Sequence, residues 1–328
     1  RGLGDVYKRQ EKVVVMGHRL PDADSFGAAI GIYRAAKTLN KKAYIVIDNP
    51  TSSIIPLMNT FRDNQDYEAD MFVNNHEAKE IMDDNTLLVV VDTNKPSITQ
   101  CEDLLYMAKM IVVLDHHRQG SDTIRNSVLS YIEPYASSAS EMVAEILQYF
   151  TEGIRIRNVE ADSIYAGIMI DTDNFMQKTG VRTFEAAAFL RRCGADVTRV
   201  RKLFREDMND YKARGETIRN AELFRGQFAI SECPSDYVDS PTVVGAQAAN
   251  ELLNIVGVKA SFVLTEYKGV IYISARAIDE VNVQIIMERM GGGGHLNMAG
   301  CQLETVNMEG ARNLLKSTLT EMQDGGEI

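Results

Sequence analysis

Four short apolar runs constrain this chain more than any other feature. Residues 13–16, 44–47, 87–91 and 110–114 are apolar at every position, with no polar alternation. A strand with one wet face alternates, so unbroken runs belong to strands covered on both faces. Stretches of helical character separate them, which predicts a parallel sheet with flanking helices in an α/β fold. Helical spacing is expected over 25–39, 139–150, 159–170 and 183–193, the last ending at Gly194 as helices often do.

Beyond Gly226 the pattern shifts to short strands at 228–231, 260–266 and 270–275 and a helix around 283–290. At 328 residues the chain exceeds what one core usually supports. A first domain over 11–195, a helical linker over 196–225 and a smaller mixed α/β domain over 226–328 are therefore expected. In the linker, acids interleave with bases, which suits a solvated connecting helix or helix pair better than a basic nucleic-acid stripe. Residues 1–10 show no apolar period and fit no element.

Formal net charge is −11, which argues against a broad groove for long nucleic acid. A small, multiply charged anion held through metal ions remains compatible, because bound cations invert the local field. No apolar run approaches the roughly 18 residues of a membrane span, and no charged-then-apolar leader opens the sequence. Cys101, Cys193, Cys233 and Cys301 lie far apart with no paired spacing. That pattern is neither a zinc site nor a disulfide framework, and a reduced cytoplasm is expected.

The chemistry gathers where apolar runs stop. Four groups lie there: His18-Arg19-Leu20-Pro21-Asp22-Ala23-Asp24, Asp92-Thr93, Asp115-His116-His117 and Asp171-Thr172-Asp173, the last arriving from a helix. Singly, each has a bland reading as a helix N-cap, a turn former or a satisfied polar residue. Together they are expected to converge on one crevice, since ligands of open α/β sheets bind outside the carboxyl ends of the strands. Carboxylates mixed with imidazoles, without thiolate, suit Mn²⁺ or a similar ion better than a structural zinc. Two ions about 3.5–4 Å apart could grip a phosphodiester and bridge a hydroxide, which requires a carboxylate reaching both.

At these residues the sequence resembles the DHH phosphoesterase superfamily, named for the triplet seen here as Asp115-His116-His117. The tail Gly291-Gly292-Gly293-Gly294-His295 resembles the glycine-rich signature of the associated DHHA1 domain. Within the superfamily the flanks are most similar to GdpP-type cyclic-di-AMP phosphodiesterases. Val91-Asp92-Thr93-Asn94-Lys95-Pro96-Ser97, Glu133-Pro134-Tyr135-Ala136-Ser137-Ser138 and the stretch from Thr179 to Ala187 carry that similarity. Asn297-Met298-Ala299-Gly300, after His295, falls where family members vary.

The resemblance implies a DHH domain followed by a DHHA1 domain. It implies that His18, Asp22 and Asp92 hold one Mn²⁺, and Asp24, Asp92, His116 and Asp171 a second, with Asp92 bridging. His117 is expected over the phosphate, and Gly291, Gly292, Gly293, Gly294, His295 and Arg276 on the nucleotide. The implied reaction converts cyclic-di-AMP to linear 5′-pApA. Oligoribonuclease-like hydrolysis of pApA and other very short RNAs is the alternative. A non-catalytic nucleotide sensor is disfavoured because every expected ligand is in place. Type II inorganic pyrophosphatases share the metal motifs but lack this glycine signature. A homodimer is compatible with the resemblance. GdpP-type relatives carry two membrane-spanning helices, a PAS domain and a degenerate cyclase-like domain ahead of the catalytic part, and this chain matches that catalytic part.

Overall fold

A computed structural model describes residues 10–205, 207–238, 240–278 and 281–328; most of the segment expected to be irregular, 1–9, lies outside the described residues. The chain divides into two compact units, 1–205 and 206–328.

In the first unit the four apolar runs form β1 (Lys12–Met16), β2 (Lys42–Val46), β4 (Thr86–Val91) and β5 (Met110–Asp115). Two short edge strands, β3 (Phe72–Val73) and β6 (Leu129–Ile132), complete a sheet of order β3-β2-β1-β4-β5-β6. Every pairing is parallel. The edge strands escaped the sequence reading because they are short and, as edges, only partly covered.

Strand residues divide alternately between two cores. Val13, Val15, Leu87, Val89 and Val91 face α1 (Ala23–Thr38), α2 (Ile55–Arg62), α5 (Ala139–Phe150), α6 (Asn158–Asp171) and α7 (Val181–Arg192). Val14, Met16, Leu88 and Val90 face α3 (Asn75–Ile81) and α4 (Asp103–Met107). Both faces are covered, which is why the runs tolerate no polar residue. From β1 the chain winds outward to β3 and then returns to β4 on the other side of β1. The loops after β1 and β4 therefore part in opposite directions and leave a crevice between them.

Close helix packing aims the ends of α1 and α6 into that crevice. An added Cβ at Gly27 would lie 2.6 Å from the Ser163 carbonyl oxygen and 2.7 Å from Ser140 Oγ; one at Gly167 would lie 2.1 Å from Ser140 Oγ. Nothing larger than glycine lets α1, α5 and α6 approach this closely.

The interval expected as a linker holds two helices, one per unit. α8 (Val197–Leu203) packs into the first core through Val200, while α9 (Met208–Arg219) packs through Ala213 in the second unit. There the strands are β7 (Glu222–Phe224), β8 (Phe228–Cys233), β9 (Ala260–Tyr267), β10 (Val270–Ala277), β11 (Gly293–His295) and β12 (Met298–Leu303). Their order is β11-β12-β10-β9-β8-β7, and only β8 with β9 is parallel. With α9, helix α10 (Pro241–Leu252) covers one face, while α11 (Val283–Arg289) and α12 (Met308–Asp324) cover the other.

Gly27→Ala should cost about 1–3 kcal/mol in urea unfolding followed by circular dichroism, because the methyl meets backbone across the helix interface. Gly215→Ala in α9, where an added Cβ meets nothing within 4 Å, should instead stabilise by about 0.5–1 kcal/mol. Equal effects at the two positions would contradict this packing argument.

Candidate metal centre and the cavity of the second unit

Asp92 follows β4 at the crevice, is 3% exposed, and has a φ of +59°. A β-carboxylate residue held in the left-handed region stores about 1–3 kcal/mol of strain, as positions at functional sites often do. Its two oxygens point to different histidines. Oδ2 lies 3.2 Å from His18 Nε2, and Oδ1 lies 3.4 Å from His116 Nε2. Oδ1 is buried without a hydrogen-bond partner. An orphaned buried carboxylate oxygen is costly unless a cation or donor meets it.

Around each histidine the remaining acids assemble. Asp22 Oδ2 is 3.5 Å from His18 Nε2, while Asp22 Oδ1 accepts the Ser25 N–H at 2.9 Å as the N-cap of α1. The bland reading and the functional one coexist here, with one oxygen for each. On the other side Asp24 Oδ2 and Asp171 Oδ2 each lie 3.7 Å from His116 Nε2. Asp24 also accepts the N–H groups of Ala139 and Ser140, both at 2.7 Å, so the start of α5 holds it in place. Anions are favoured at a helix N-terminus, where these N–H groups lack partners. His18, Asp22 and Asp92 form one group that could hold a metal ion, and Asp24, His116 and Asp171 another.

His117 is placed differently. Its Nδ1 lies 2.8 Å from Asp115 Oδ1, and the Asn94 amide donates to Asp115 Oδ2. Asp115 is fully buried, whereas the His117 side chain is 58% exposed. A fixed Nδ1 leaves Nε2 free to exchange a proton or a hydrogen bond outside. Neither Asp115 nor Asn94 was assigned a role from sequence. Asp115 opens the named triplet, but only its position beneath His117 shows what it does.

Charges in the cluster are strongly coupled. Burial alone would lower His18 and His116, but the neighbouring carboxylates override it and raise them to about 10 and about 9. Burial would raise Asp92, yet the two histidines pull it down to about 2. Burial, then the Asp92 carboxylate, pushes Asp24 well up; burial raises Asp171 too. Without a cation, four carboxylates crowd two imidazoles, and the repulsion among them adds to burial in favouring protonated Asp24 and Asp171. A divalent ion would supply the missing positive charge, so this donor set fits one.

In the second unit the glycine run is not a simple anion cradle. Gly291, at φ +84°, ends α11: its N–H donates to Glu288 O and that of Gly292 to Met287 O, the two bonds of a Schellman cap. Those two N–H groups are therefore already engaged within the chain. An added Cβ at Gly292 would lie 2.1 Å from Gly300 O, and at Gly294 2.5 Å from Ala299 Cα, so strand packing explains both. Gly293 alone combines an ordinary φ with open space around an added Cβ. It borders a cavity of about 550 Å³ with Gly291, Gly292 and Ser274.

Arg276 and His295 lie on the same sheet face as Gly293. In register, Arg276 pairs with Met298 and Met298 with His295, and directly opposed residues share a face. Among the described residues, Arg276 Nε is buried without a partner, and its Nη1 donates to the Ala275 carbonyl.

Comparison with known proteins bears on both units. Residues 12–168 match the DHH family, N-terminal domain, and residues 228–321 match the DHHA1 domain. The chain belongs to the DHH–DHHA1 family. It is 42% identical, over 99% of its length, to the cyclic-di-AMP phosphodiesterase GdpP of Bacillus subtilis, and covers 50% of that protein. Against the bifunctional oligoribonuclease and PAP phosphatase NrnA of Thermus thermophilus it is 24% identical, covering 100% of this chain and 96% of that one. An exopolyphosphatase-related protein from Bacteroides fragilis shares the fold, with a TM-score of 0.81 at 20% identity, covering 98% and 96% of the two chains. The DHH–DHHA1 chain spans about half the length of the GdpP relatives it matches. Among its described residues, no helix is long and apolar enough to cross a membrane.

The DHH unit should show its charge crowding in a pH series. Folded His18 and His116 hold protons that the unfolded chain releases above about pH 6.5. That stabilisation is fully present below about pH 6.5 and is lost as pH rises through the folded values near 9 and 10. Raised Asp24 and Asp171 act in the same direction. Calorimetric Tm of chelated protein should thus fall between about pH 6.5 and 9, and the gain on adding Mn²⁺ should grow over that window. A Mn²⁺ gain that shrinks as pH rises would contradict the coupling.

Proposed function

We propose that this chain is the catalytic part of a cyclic-di-AMP phosphodiesterase, cutting one 3′–5′ phosphodiester to give linear 5′-pApA. The observation that carries the reading is the split Asp92 carboxylate, one oxygen turned to the His18 group and the other to the His116 group. His18, Asp22 and Asp92 would hold one Mn²⁺; Asp24, Asp92, His116 and Asp171 would hold the second. Imidazoles among the ligands favour a transition ion over Mg²⁺, which prefers all-oxygen shells. The cyclic-di-AMP assignment draws on the name of the GdpP relative, which matches along 99% of this chain.

When bound, the ion pair supplies an activated water and neutralises charge gathering on the phosphate. The chain's own groups do the rest. Asp115, fixed by Asn94, holds His117 Nδ1, so that Nε2 can give a proton or hydrogen bond to the departing 3′ oxygen. Arg276, His295 and Gly293 would hold the nucleotide on the second unit, and binding energy from parts of a substrate remote from the reacting phosphate contributes to turnover. The NrnA relative, matched along 96% of its own length, favours a second reading as an oligoribonuclease-like hydrolase of pApA and very short RNAs.

Incubation with Mn²⁺ and each nucleotide, followed by chromatography, separates the readings. Cyclic-di-AMP should be converted to pApA faster than pApA is converted to AMP. The reverse order would establish the oligoribonuclease reading, and no turnover of either would remove both. Mg²⁺ alone should support little activity.

Asp92→Asn should keep its circular dichroism spectrum, lose bound metal and slow turnover by about a thousandfold or more, the equivalent of several kcal/mol. Retained metal with a near-normal rate would remove the bridging assignment.

A further inference from the structure

The open face of β10, β12 and β11 has three rows. Strand pairing sets Tyr272 opposite Gln302; Ser274 opposite Gly300 and thence Gly293; and Arg276 opposite Met298 and thence His295. Opposed residues share a face, so the middle row is almost bare and forms a trough between two walls. One wall offers an aromatic ring and an amide, the other a guanidinium and an imidazole. Along β10 the walls lie four residues apart, roughly 13–14 Å at about 3.4 Å per residue.

A cavity of about 550 Å³ takes in the Tyr272 and Gln302 wall and the bare middle row, with Thr242 from the start of α10 at its rim; Arg276 and His295 stand on the next row, beyond its lining. Among the described residues no carboxylate lines it. Among the described residues, the side chains of Thr242, Tyr272, Ser274 and Gln302 make no internal hydrogen bond, and Arg276 Nε is likewise unpartnered. Unpartnered neutral donors and acceptors on one wall, with the unpartnered Nε of a guanidinium on the other, match a nucleoside monophosphate lying along the strands from wall to wall. A phosphate alone would leave the Tyr272 and Gln302 wall unused.

We infer that Tyr272 and Gln302 are the specificity-determining residues for the base, the ring of Tyr272 supporting it and the amide of Gln302 reading adenine. The side-chain amide carries one donor and one acceptor, which complement N7 and the N6 amino group of adenine. Guanine presents two acceptors, N7 and O6, on the same edge, so one half of the amide would face a like group. Ser274, Gly300 and Gly293 leave room for the sugar, and Arg276 and His295 take the phosphate. The inference rests on the reading of the second unit as the nucleotide-holding part, and it names the residues that select the base.

Calorimetric titration of the full chain in excess chelator isolates this slot, because phosphate capture through metals is then absent. AMP should bind at least tenfold more tightly than GMP and more tightly than inorganic phosphate. Gln302→Leu should weaken AMP by about tenfold to a hundredfold, the range of one bidentate base contact, and leave inorganic phosphate unchanged. Tyr272→Leu should weaken AMP by a similar factor, since a base stacked on an aromatic ring contributes comparably. Gly293→Ala, whose methyl meets nothing within 4 Å, should fold normally and still weaken AMP by filling the trough. Gln302 is exposed, so Gln302→Leu alone decides the matter if Tyr272→Leu fails to fold. AMP binding no tighter than inorganic phosphate, or AMP affinity within twofold of wild type in Gln302→Leu, overturns the inference. Hydrolysis separates the two levels. Turnover of cyclic-di-AMP with an indifferent Gln302→Leu removes the slot alone. Base-selective AMP binding in a chain that hydrolyses neither cyclic-di-AMP nor pApA removes the proposed reaction alone.

Discussion

A buried carboxylate shared between two histidines is the constraint on which the first unit depends. Asp92 is almost fully buried and sits on left-handed backbone at the end of a strand covered on both faces. Burying such a charge is tolerable only where opposite charge meets it. His18 and His116 provide that, but they come from different strand ends, on either side of β4, and meet at Asp92 only because β1 and β5 both flank β4. The winding that reverses between β1 and β4 is therefore what makes the cluster possible. A sheet of the same strands in another order would separate these side chains.

Helix packing supplies the other half of the cluster. Asp24 begins α1 and Asp171 ends α6, so the two carboxylates converge on His116 only if the helices run close together. Gly27 and Gly167 allow that approach, and the start of α5 then caps Asp24 through the N–H groups of Ala139 and Ser140. Stability and site geometry are coupled here: a methyl that forces these helices apart also displaces two of the acids.

The glycine run shows how one motif can serve several physical ends. Gly291 caps a helix, Gly292 and Gly294 let two backbones approach, and Gly293 borders open space. Read as a string, all four glycines look equally suited to an anion. Only the cap geometry and the pairing of β11 with β12 distinguish them. Arg276 is the complementary case, a cation whose buried Nε has no partner among the described residues.

Much of the first unit was legible in the sequence, because residues buried on both faces must be apolar throughout and so announce their strands. Edge strands β3 and β6 were not, since partial covering leaves no such signature. His18, Asp22, Asp24, Asp92, His116 and Asp171 could be named as a set from their places after apolar runs and on a helix end. Their division around Asp92 came from resemblance alone; the physical basis for it is the sheet order, which depends on contacts distant in sequence. Asp115 stands out in the sequence as part of a strand-end triplet, but not its place beneath His117; Tyr272 and Gln302, across one sheet face, carry no local signal at all. Chemical type and strand or helix identity are local properties, so the sequence determined them by itself. Which oxygen faces which imidazole, and which side chains share a face across β10, β12 and β11, follow from register and packing, and only the tertiary structure decided those.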